Sequence, residues 1–186
     1  MISKTDFRKH FLEKRKTLNT KVLSDSVCKN IINTDIYKKA QNIFAYYPLP
    51  FEVNISLLFK DISKNWFLPK IKGDNLKFYE YEYGDKLNTG AFNVLEPAKF
   101  FSTEIYPDLI IVPALCVDKN NYRLGYGKGY YDRFLEKYSE ENSPITISPI
   151  FSCLITNSLP IEMNDKKIDI IITEKDIIYG ESYAKN

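Results

Sequence analysis

With 186 residues, 44% of them hydrophobic, the chain is long enough to bury one substantial core, and its length favours a single domain over residues 1–186. Twenty-six basic and 24 acidic side chains leave a net charge of +2, which gives no long-range attraction to nucleic acid or membranes. The N-terminus has no apolar signal core and no run approaches the roughly 20 apolar residues that span a bilayer, so we expect a cytoplasmic protein.

The first part of the chain has helical periodicity followed by a strand-like run. Ser3 and Asp6 predict the N-terminal cap of a first helix. A second helix is predicted from about Thr20 to Asn33, because its apolar residues recur on one side. Asn42–Tyr47 then predicts a buried strand, which the two following prolines stop.

Helix-like and strand-like runs also alternate in the middle of the chain. Asn54–Lys64 predicts a helix, and Trp66–Ile71 predicts the next strand. Alternating residues over Lys77–Tyr83 predict a half-exposed strand near an edge of the sheet. The most hydrophobic run, Asp108–Val117, predicts a strand covered on both sides.

The last part adds a glycine-rich loop, a helix beginning near Gly129, an exposed loop at Glu140–Pro144, and strands at Ile145–Phe151 and Ile168–Thr173. Strands that alternate with helices are typical of a parallel sheet covered by helices. The sequence therefore predicts an α/β fold, with a mainly parallel, open central sheet and helices on both faces.

Cysteine and histidine chemistry are both disfavoured. Cys28, Cys116 and Cys153 are odd in number and widely separated in apolar surroundings, which argues against a disulfide framework or a zinc site. His10 is the only histidine and falls in the first predicted helix, so a histidine general base is not expected.

The glycine-rich loop carries the strongest chemical signal. Three of the chain's seven glycines alternate within Arg123–Arg133, where they free backbone N–H groups to face an anion such as phosphate. Arg123 and Lys128 add positive charge, and Asp132 can hold Mg²⁺ against phosphate oxygens. The spacing fits neither a P-loop nor a dinucleotide-binding turn. The alternative is a glycine-rich turn whose charged residues are merely solvated.

The run R-L-G-Y-G-K-G-Y-Y-D-R-F-L resembles the 5-formyltetrahydrofolate cyclo-ligases, also called methenyltetrahydrofolate synthetases. The resemblance extends over nearly the whole chain. It rests on the signature R-x-G-x-G-x-G-Y-Y-D and on weaker features, including an early Lys-x-x-x-Arg and a late Asp-x-x-x-Asp. It implies an ATP- and Mg²⁺-dependent ligase of one-carbon folate metabolism that converts 5-formyltetrahydrofolate to 5,10-methenyltetrahydrofolate.

The resemblance also implies a set of site residues. Arg123, Lys128 and Tyr130 are expected to act in catalysis, and Asp132 and Asp165 to hold the metal. Folate contacts are expected from Glu52, Phe92, Tyr126 and Tyr130. Nucleotide contacts are expected from Lys4, Arg8, Arg123, Leu124, Gly125, Tyr126, Gly127, Lys128, Gly129, Tyr130 and Tyr131.

Without the resemblance, several of these residues have ordinary interpretations. Lys4 and Arg8 share a helix face, which is usually a solvated surface. Glu52 in its proline-bounded loop is either a hydrogen-bond acceptor for a pterin ring or an ordinary surface acid. Phe92 either stacks on pterin or packs in the core. Asp165 is an isolated acid in a turn, and such acids are mostly solvated.

Two positions depart from the family pattern. Asn164 stands where many bacterial relatives carry His, and Leu154 stands where Gln is common. Two other functions remain as alternatives: a sugar-phosphate isomerase, which would not need ATP, and a nucleic-acid-binding module that stacks bases on its many aromatic residues. We expect a small-molecule substrate, no nucleic-acid or membrane partner, and a monomer or weak homo-oligomer.

Overall fold

The computed structural model describes residues 3–99, 105–138, 143–181 and 183. The helices are α1 (Lys4–Lys16), α2 (Thr20–Asn33), α3 (Asp35–Lys39) and α4 (Tyr130–Glu136). The strands are β1 (Asn42–Phe44), β2 (Asn65–Lys72), β3 (Asn75–Tyr81), β4 (Leu87–Thr89), β5 (Leu95–Pro97), β6 (Leu109–Ile111), β7 (Cys116–Asp118), β8 (Arg123–Leu124), β9 (Ile145–Pro149), β10 (Ile155–Thr156), β11 (Ile170–Ile172) and β12 (Ile177–Tyr179). Single turns of 3-10 helix lie at Leu58–Lys60, Ala91–Asn93 and Ser152–Leu154.

The central sheet has seven strands in the order β12-β11-β9-β6-β1-β2-β3. Its inner pairs are parallel, whereas β12 and β3 join the two edges antiparallel. A three-stranded sheet, β10-β7-β8, and the β4-β5 hairpin complete the described strands. The predicted α/β fold is confirmed, as is the placement of the strand near Lys77 at an edge.

The two faces of the sheet are covered by different helices. Ile43 of β1 belongs to the same buried cluster as Val27 of α2. The next residue, Phe44, points to the opposite face, because successive strand residues alternate. Its ring lies 6.2 Å from the ring of Phe134 in α4, centroid to centroid. Each fully buried apolar side chain of this kind contributes about 1.5–3 kcal/mol to folding, so both layers stabilise the sheet.

Helix α1 begins as the sequence predicts. The Ser3 hydroxyl accepts a hydrogen bond from the Asp6 backbone N–H at 3.2 Å, and Asp6 Oδ2 accepts one from the Ser3 N–H at 3.1 Å. This reciprocal capping satisfies two of the otherwise unpaired N–H groups at the start of the helix. The predicted bounds of α2 are also confirmed.

The helix predicted over Asn54–Lys64 is wrong. The segment contains only a single 3-10 turn, although Ile55, Leu58 and Phe59 are buried. Asn54 Oδ1 accepts a hydrogen bond from the Ser56 N–H at 3.0 Å, and Asp61 Oδ1 accepts one from the Ser63 N–H at 3.1 Å. Such side-chain bonds offer the backbone an alternative to the helical ladder.

The single strand predicted over Asp108–Val117 is divided into β6 and β7, which belong to different sheets. The break falls at Pro113, which has no N–H to donate to a neighbouring strand. β7 forms a hairpin with β8, so strand β8 lies between the end of the hydrophobic run and the glycine-rich loop.

Residues 140–142 of the predicted exposed loop lie outside the described residues. Cys28 and Cys116 are buried, Cys153 is half-buried, and all three thiols are free; burial raises the pKa of Cys28 and Cys116 to about 12. Among the described residues, none of the helices combines the length and apolar character that a membrane span requires.

Candidate active site

A cleft of about 1300 Å³ opens at the carboxyl ends of β1 and β6. Tyr46 and Glu52, which follow β1, line it together with Pro113, which follows β6. Open α/β sheets bind their ligands at this edge. Every residue predicted for the site lines this cleft: Lys4, Arg8, Glu52, Phe92, Arg123, Leu124, Gly125, Tyr126, Gly127, Lys128, Gly129, Tyr130, Tyr131, Asp132 and Asp165.

The glycine-rich loop, residues 125–129, lies against helix α1. Gly127 has φ +94°, and a side chain there would place its Cβ 3.0 Å from Cζ of Arg8. Arg8 Nε also donates a hydrogen bond to the Gly125 carbonyl at 3.0 Å. Gly129, with φ +67°, caps α4. The two left-handed glycines and the Arg8 contact therefore fix the course of the loop.

Lys128 and Phe92 face each other across the cleft. The Lys128 ammonium lies 5.4 Å from the centroid of the Phe92 ring, and the Tyr130 ring lies 6.4 Å from the same centroid. Arg133 donates a hydrogen bond to the Lys128 carbonyl at 3.1 Å, which holds the backbone at this point. Phe92 is 56% exposed, so its interpretation as a core residue is wrong. Its ring is available for stacking.

Two ion pairs join the charged site residues. Lys4 Nζ lies 2.7 Å from Asp165 Oδ2, and Arg123 Nη2 lies 3.0 Å from Asp132 Oδ1. The Lys4 side chain is 16% exposed and the Arg123 side chain 4%. Neither cation is therefore a freely solvated surface group. Both are held where an incoming anion would meet them.

Glu52 is only 5% exposed, so its interpretation as a surface acid is also wrong. Its Oε2 accepts a hydrogen bond from the Leu49 N–H at 2.9 Å, and its Oε1 accepts one from the Tyr126 hydroxyl at 2.9 Å. Burial raises the pKa of the Glu52 carboxyl, and the two hydrogen bonds and the Arg15 charge oppose that rise only in part.

Sequence reasoning missed Arg15, which is 2% exposed beneath the cleft. Its Nη1 donates a hydrogen bond to the Tyr126 hydroxyl at 3.0 Å, and its Nη2 donates to the Ala114 carbonyl. One signal was present in the sequence: Arg15 follows Arg8 by seven residues, which is close to two helical turns and places both on one face of α1.

Two further buried polar groups lie at the site, of which the sequence analysis missed Glu96. The carboxylate of Glu96 is buried in the cleft wall and accepts a hydrogen bond from the Ile71 N–H at 3.1 Å. The Tyr131 hydroxyl is buried and has no hydrogen-bond partner within the described residues, and burial raises its pKa. An unpaired buried hydroxyl is costly unless water or a ligand satisfies it.

The departures at Leu154 and Asn164 have different structural settings. Leu154 is fully buried in the hydrophobic core and does not line the cleft, so a change at this position leaves the cleft wall as it is. Asn164 is exposed and does line the cleft, next to Asp165. Only Asn164 is therefore placed to alter a ligand contact directly.

Asp132 and Asp165 offer oxygen ligands of the kind that Mg²⁺ prefers. Both oxygens of Asp165 accept hydrogen bonds from Lys4, whereas Arg123 pairs with Oδ1 of Asp132. In the described parts of the chain, no cluster of three or more His, Cys, Asp or Glu side chains could hold a metal by itself. The donor set fits a cation that takes its remaining ligands from phosphate and water, as Mg²⁺ does.

Comparison with known proteins agrees with this geometry. The model of the 5-formyltetrahydrofolate cyclo-ligase family matches residues 1–174. A probable 5-formyltetrahydrofolate cyclo-ligase of Schizosaccharomyces pombe is 30% identical over 175 residues, covering 83% of this chain and 85% of that protein. The corresponding Haemophilus influenzae enzyme is 27% identical over 158 residues, covering 79% and 83%.

A solved structure is similar over almost the whole fold. The NMR structure of Aquifex aeolicus 5,10-methenyltetrahydrofolate synthetase superposes with a TM-score of 0.83 at 30% identity, covering 96% of this chain and 93% of that one. Sequence and structure thus agree over the same length, and the signature loop lies within the matched residues. The chain belongs to the 5-formyltetrahydrofolate cyclo-ligase family.

Proposed function

We propose that this protein catalyses the ATP-dependent cyclisation of 5-formyltetrahydrofolate to 5,10-methenyltetrahydrofolate, with ADP and phosphate as the other products. One observation carries the proposal. A cradle for phosphate and a buried carboxylate suited to a pterin ring line the same cleft in a chain of this family. A ligase that phosphorylates one substrate on another needs both in one cavity.

The reaction needs two successive steps. The formyl oxygen of the folate attacks the γ-phosphate of ATP, which forms an imidate phosphate and releases ADP. N10 then attacks the activated carbon and loses its proton, and phosphate leaves as the ring closes. No protein nucleophile takes part, because phosphoryl transfer depends mainly on in-line positioning and charge neutralisation.

The signature loop supplies that neutralisation. Lys128 and Arg123 place positive charge where the transferred phosphoryl group carries its negative charge. Backbone N–H groups of residues 124–131 face the phosphates across the alternating glycines. Tyr130 lies beside Phe92 and is therefore placed to contact both the folate and the reacting phosphate.

Helix α1 and two carboxylates hold the nucleotide and its metal. Lys4 and Arg8 line the cleft next to the loop and are assigned to the ATP phosphates. Asp132, supported by Asp165, is assigned to Mg²⁺. When bound, Mg²⁺ neutralises charge on the phosphate oxygens. Arg123 and Lys4 orient the two carboxylates until then.

The folate is assigned to the other end of the cleft. Glu52 accepts hydrogen bonds from the pterin ring, with Tyr126 beside it, and Phe92 stacks on the ring face. This contact makes the site specific for folate. A ligand without N–H donors would leave the buried Glu52 carboxylate unpaired, which costs binding free energy, so such a molecule binds poorly.

The test is the near-ultraviolet absorbance of purified protein mixed with 5-formyltetrahydrofolate and Mg²⁺, with and without ATP. The conjugated methenyl product absorbs where the substrate does not. We expect a rise in absorbance only when ATP is present. A flat trace from folded protein would contradict the proposed reaction, and a rise without ATP would contradict the phosphorylation step.

Three further expectations accompany the proposal. The enzyme is expected to act in the cytoplasm as one domain over residues 1–186, and as a monomer or weak homo-oligomer. It is not expected to bind nucleic acid. Sedimentation of the purified protein measures its oligomeric state, and failure to retain labelled RNA at any salt concentration would support the last expectation.

A further inference from the structure

Arg15 occupies an unusual place for a residue of a lysine-rich helix. It projects from the last turn of α1 into the protein, where only 2% of it remains exposed. Its Nη2 donates a hydrogen bond to the Ala114 carbonyl, just after β6, and its Nη1 donates to the Tyr126 hydroxyl. Arg15 therefore links α1, the central sheet and the glycine-rich loop.

The Tyr126 hydroxyl connects Arg15 to Glu52 through two hydrogen bonds. It accepts the hydrogen bond from Arg15 at 3.0 Å and donates one to Glu52 Oε1 at 2.9 Å. Arg15 Nη1 lies 3.8 Å from the same carboxylate oxygen. The three side chains thus form a relay in which the buried guanidinium fixes the hydroxyl of the partly exposed Tyr126 and the hydroxyl fixes the buried carboxylate.

Tyr126 needs such an anchor because its neighbours are both glycines. Gly125 and Gly127 give the loop backbone freedom that other residues lack, and Gly127 takes φ +94°. Arg8 holds the Gly125 carbonyl, which fixes the backbone on the nucleotide side. Arg15 holds the tip of the Tyr126 side chain, which faces the folate side.

The charge on Arg15 also acts on Glu52. The groups facing the Glu52 carboxyl are Arg15 from α1, Tyr46 after β1, Tyr126 of the loop and Tyr131 of α4. The tyrosines are neutral when protonated, so Arg15 supplies the positive charge of this set. Burial raises the pKa of Glu52, and the Arg15 charge opposes that rise.

We infer that Arg15 is a positioning residue for the folate substrate: through the Tyr126 hydroxyl it orients the Glu52 carboxyl in its buried position. The inference rests on the proposed function, which assigns Glu52 to the pterin ring. A purely structural alternative exists, in which Arg15 only ties α1 to the Ala114 carbonyl. That alternative predicts lost stability without any selective effect on folate.

The experiment compares Arg15→Met, Arg15→Lys and Tyr126→Phe with the wild type. For each, kcat and KM are measured for both substrates across pH, and folding is checked by circular dichroism and thermal unfolding. The control is Lys16→Met, on the same helix, because Lys16 is exposed and pairs only with Glu13 among the described residues. This control should behave as the wild type.

Arg15→Met is expected to raise KM for 5-formyltetrahydrofolate roughly tenfold, as the loss of a charge-assisted hydrogen bond does. KM for ATP should change much less, because Arg8 still holds the loop backbone. The acid limb of kcat/KM for folate should move to higher pH, since removing the positive charge favours protonated Glu52. Arg15→Lys should leave that limb in place but still raise KM for folate, because an ammonium cannot reproduce the guanidinium fork.

A folded Arg15→Met protein with wild-type KM for folate and a wild-type acid limb would overturn the inference. So would an acid limb that moves equally in Arg15→Met and Arg15→Lys. If Arg15→Met does not fold, Arg15→Lys decides, because it keeps the charge but loses the guanidinium fork: raised KM for folate with little change in KM for ATP supports the inference, and a wild-type KM for folate overturns it. A wild type without ATP-dependent turnover would instead overturn the proposed function, and the inference with it.

Discussion

The Lys4 ammonium lies 2.7 Å from Asp165 Oδ2, although 161 residues separate the two in the chain. Lys4 begins helix α1 and is assigned to the nucleotide; Asp165 precedes β11 and is assigned to the metal. Their side chains are 16% and 19% exposed, so phosphate and Mg²⁺ can both reach the pair. If both assignments hold, nucleotide and metal binding would act on one ion pair rather than on two independent groups.

Asp165→Asn tests the metal assignment. The variant keeps an oxygen that accepts a hydrogen bond from Lys4, but it loses the negative charge. We expect the Mg²⁺ concentration for half-maximal turnover to rise about 10-fold to 100-fold, as it does when the support of a metal ligand is lost. Asp25→Asn, an exposed acid on α2 outside the cleft, is the control. An unchanged Mg²⁺ requirement in Asp165→Asn would remove Asp165 from the metal site.

Lys128→Ala tests the proposed phosphoryl transfer. Loss of a group that stabilises transition-state charge typically costs about 10² to 10³ in kcat. The fold should survive, because Lys128 is exposed and its side chain contacts only the Phe92 ring among the described residues. Turnover by absorbance and thermal unfolding measure the two effects. Lys21→Ala, an exposed lysine of α2, should leave both unchanged. A folded, fully active Lys128→Ala protein would contradict the role.

The parts of this molecule that could be predicted from sequence depend on signals within a few residues. The capping of α1 needs only Ser3 and Asp6, and the alternating glycines alone predict the glycine-rich loop. The helix expected at Asn54–Lys64 failed for a reason that is also local, because the Asn54 and Asp61 side chains bond to nearby backbone N–H groups.

Longer-range relationships could not be predicted in the same way. Tyr126 lies 74 residues from Glu52 and 111 residues from Arg15, so no spacing rule connects these three. The division of the hydrophobic run has a local signal in Pro113, but the sheets that its two halves join depend on distant partners. β6 pairs with β9 in the central sheet, whereas β7 pairs with β10 in the small sheet.

Phe92→Leu tests stacking on the folate. The variant keeps an apolar side chain but loses the flat ring, so KM for 5-formyltetrahydrofolate should rise about 3-fold to 10-fold, with little change in KM for ATP. Phe51→Leu is a matched control. Phe51 is also an exposed phenylalanine with positive φ, at +67°, but it does not line the cleft. Equal effects of the two substitutions would argue against stacking.

Gly127→Ala tests whether the loop requires a left-handed residue. An L-residue at φ +94° is strained by about 1–2 kcal/mol, and the new Cβ would lie 3.0 Å from Cζ of Arg8. We expect a fall in the free energy of unfolding of that size, measured by denaturant titration. Gly125→Ala is the comparison, because Gly125 lacks a positive φ and has open space around it. It should unfold like the wild type or be slightly more stable.

The raised pKa of Glu52 makes stability depend on pH in a predictable direction. At low pH the carboxyl is protonated in both states. As pH rises above about 4.3, the unfolded carboxyl ionises first, while burial still favours the protonated folded form. Stability therefore falls until pH passes the raised pKa of the folded state. Glu52→Gln removes this titration, so the free energy of unfolding of the variant, minus that of the wild type, should increase from acidic to neutral pH. Urea titrations across this range measure the difference, and a constant or falling value would show that Glu52 is not held in an environment that penalises its charge.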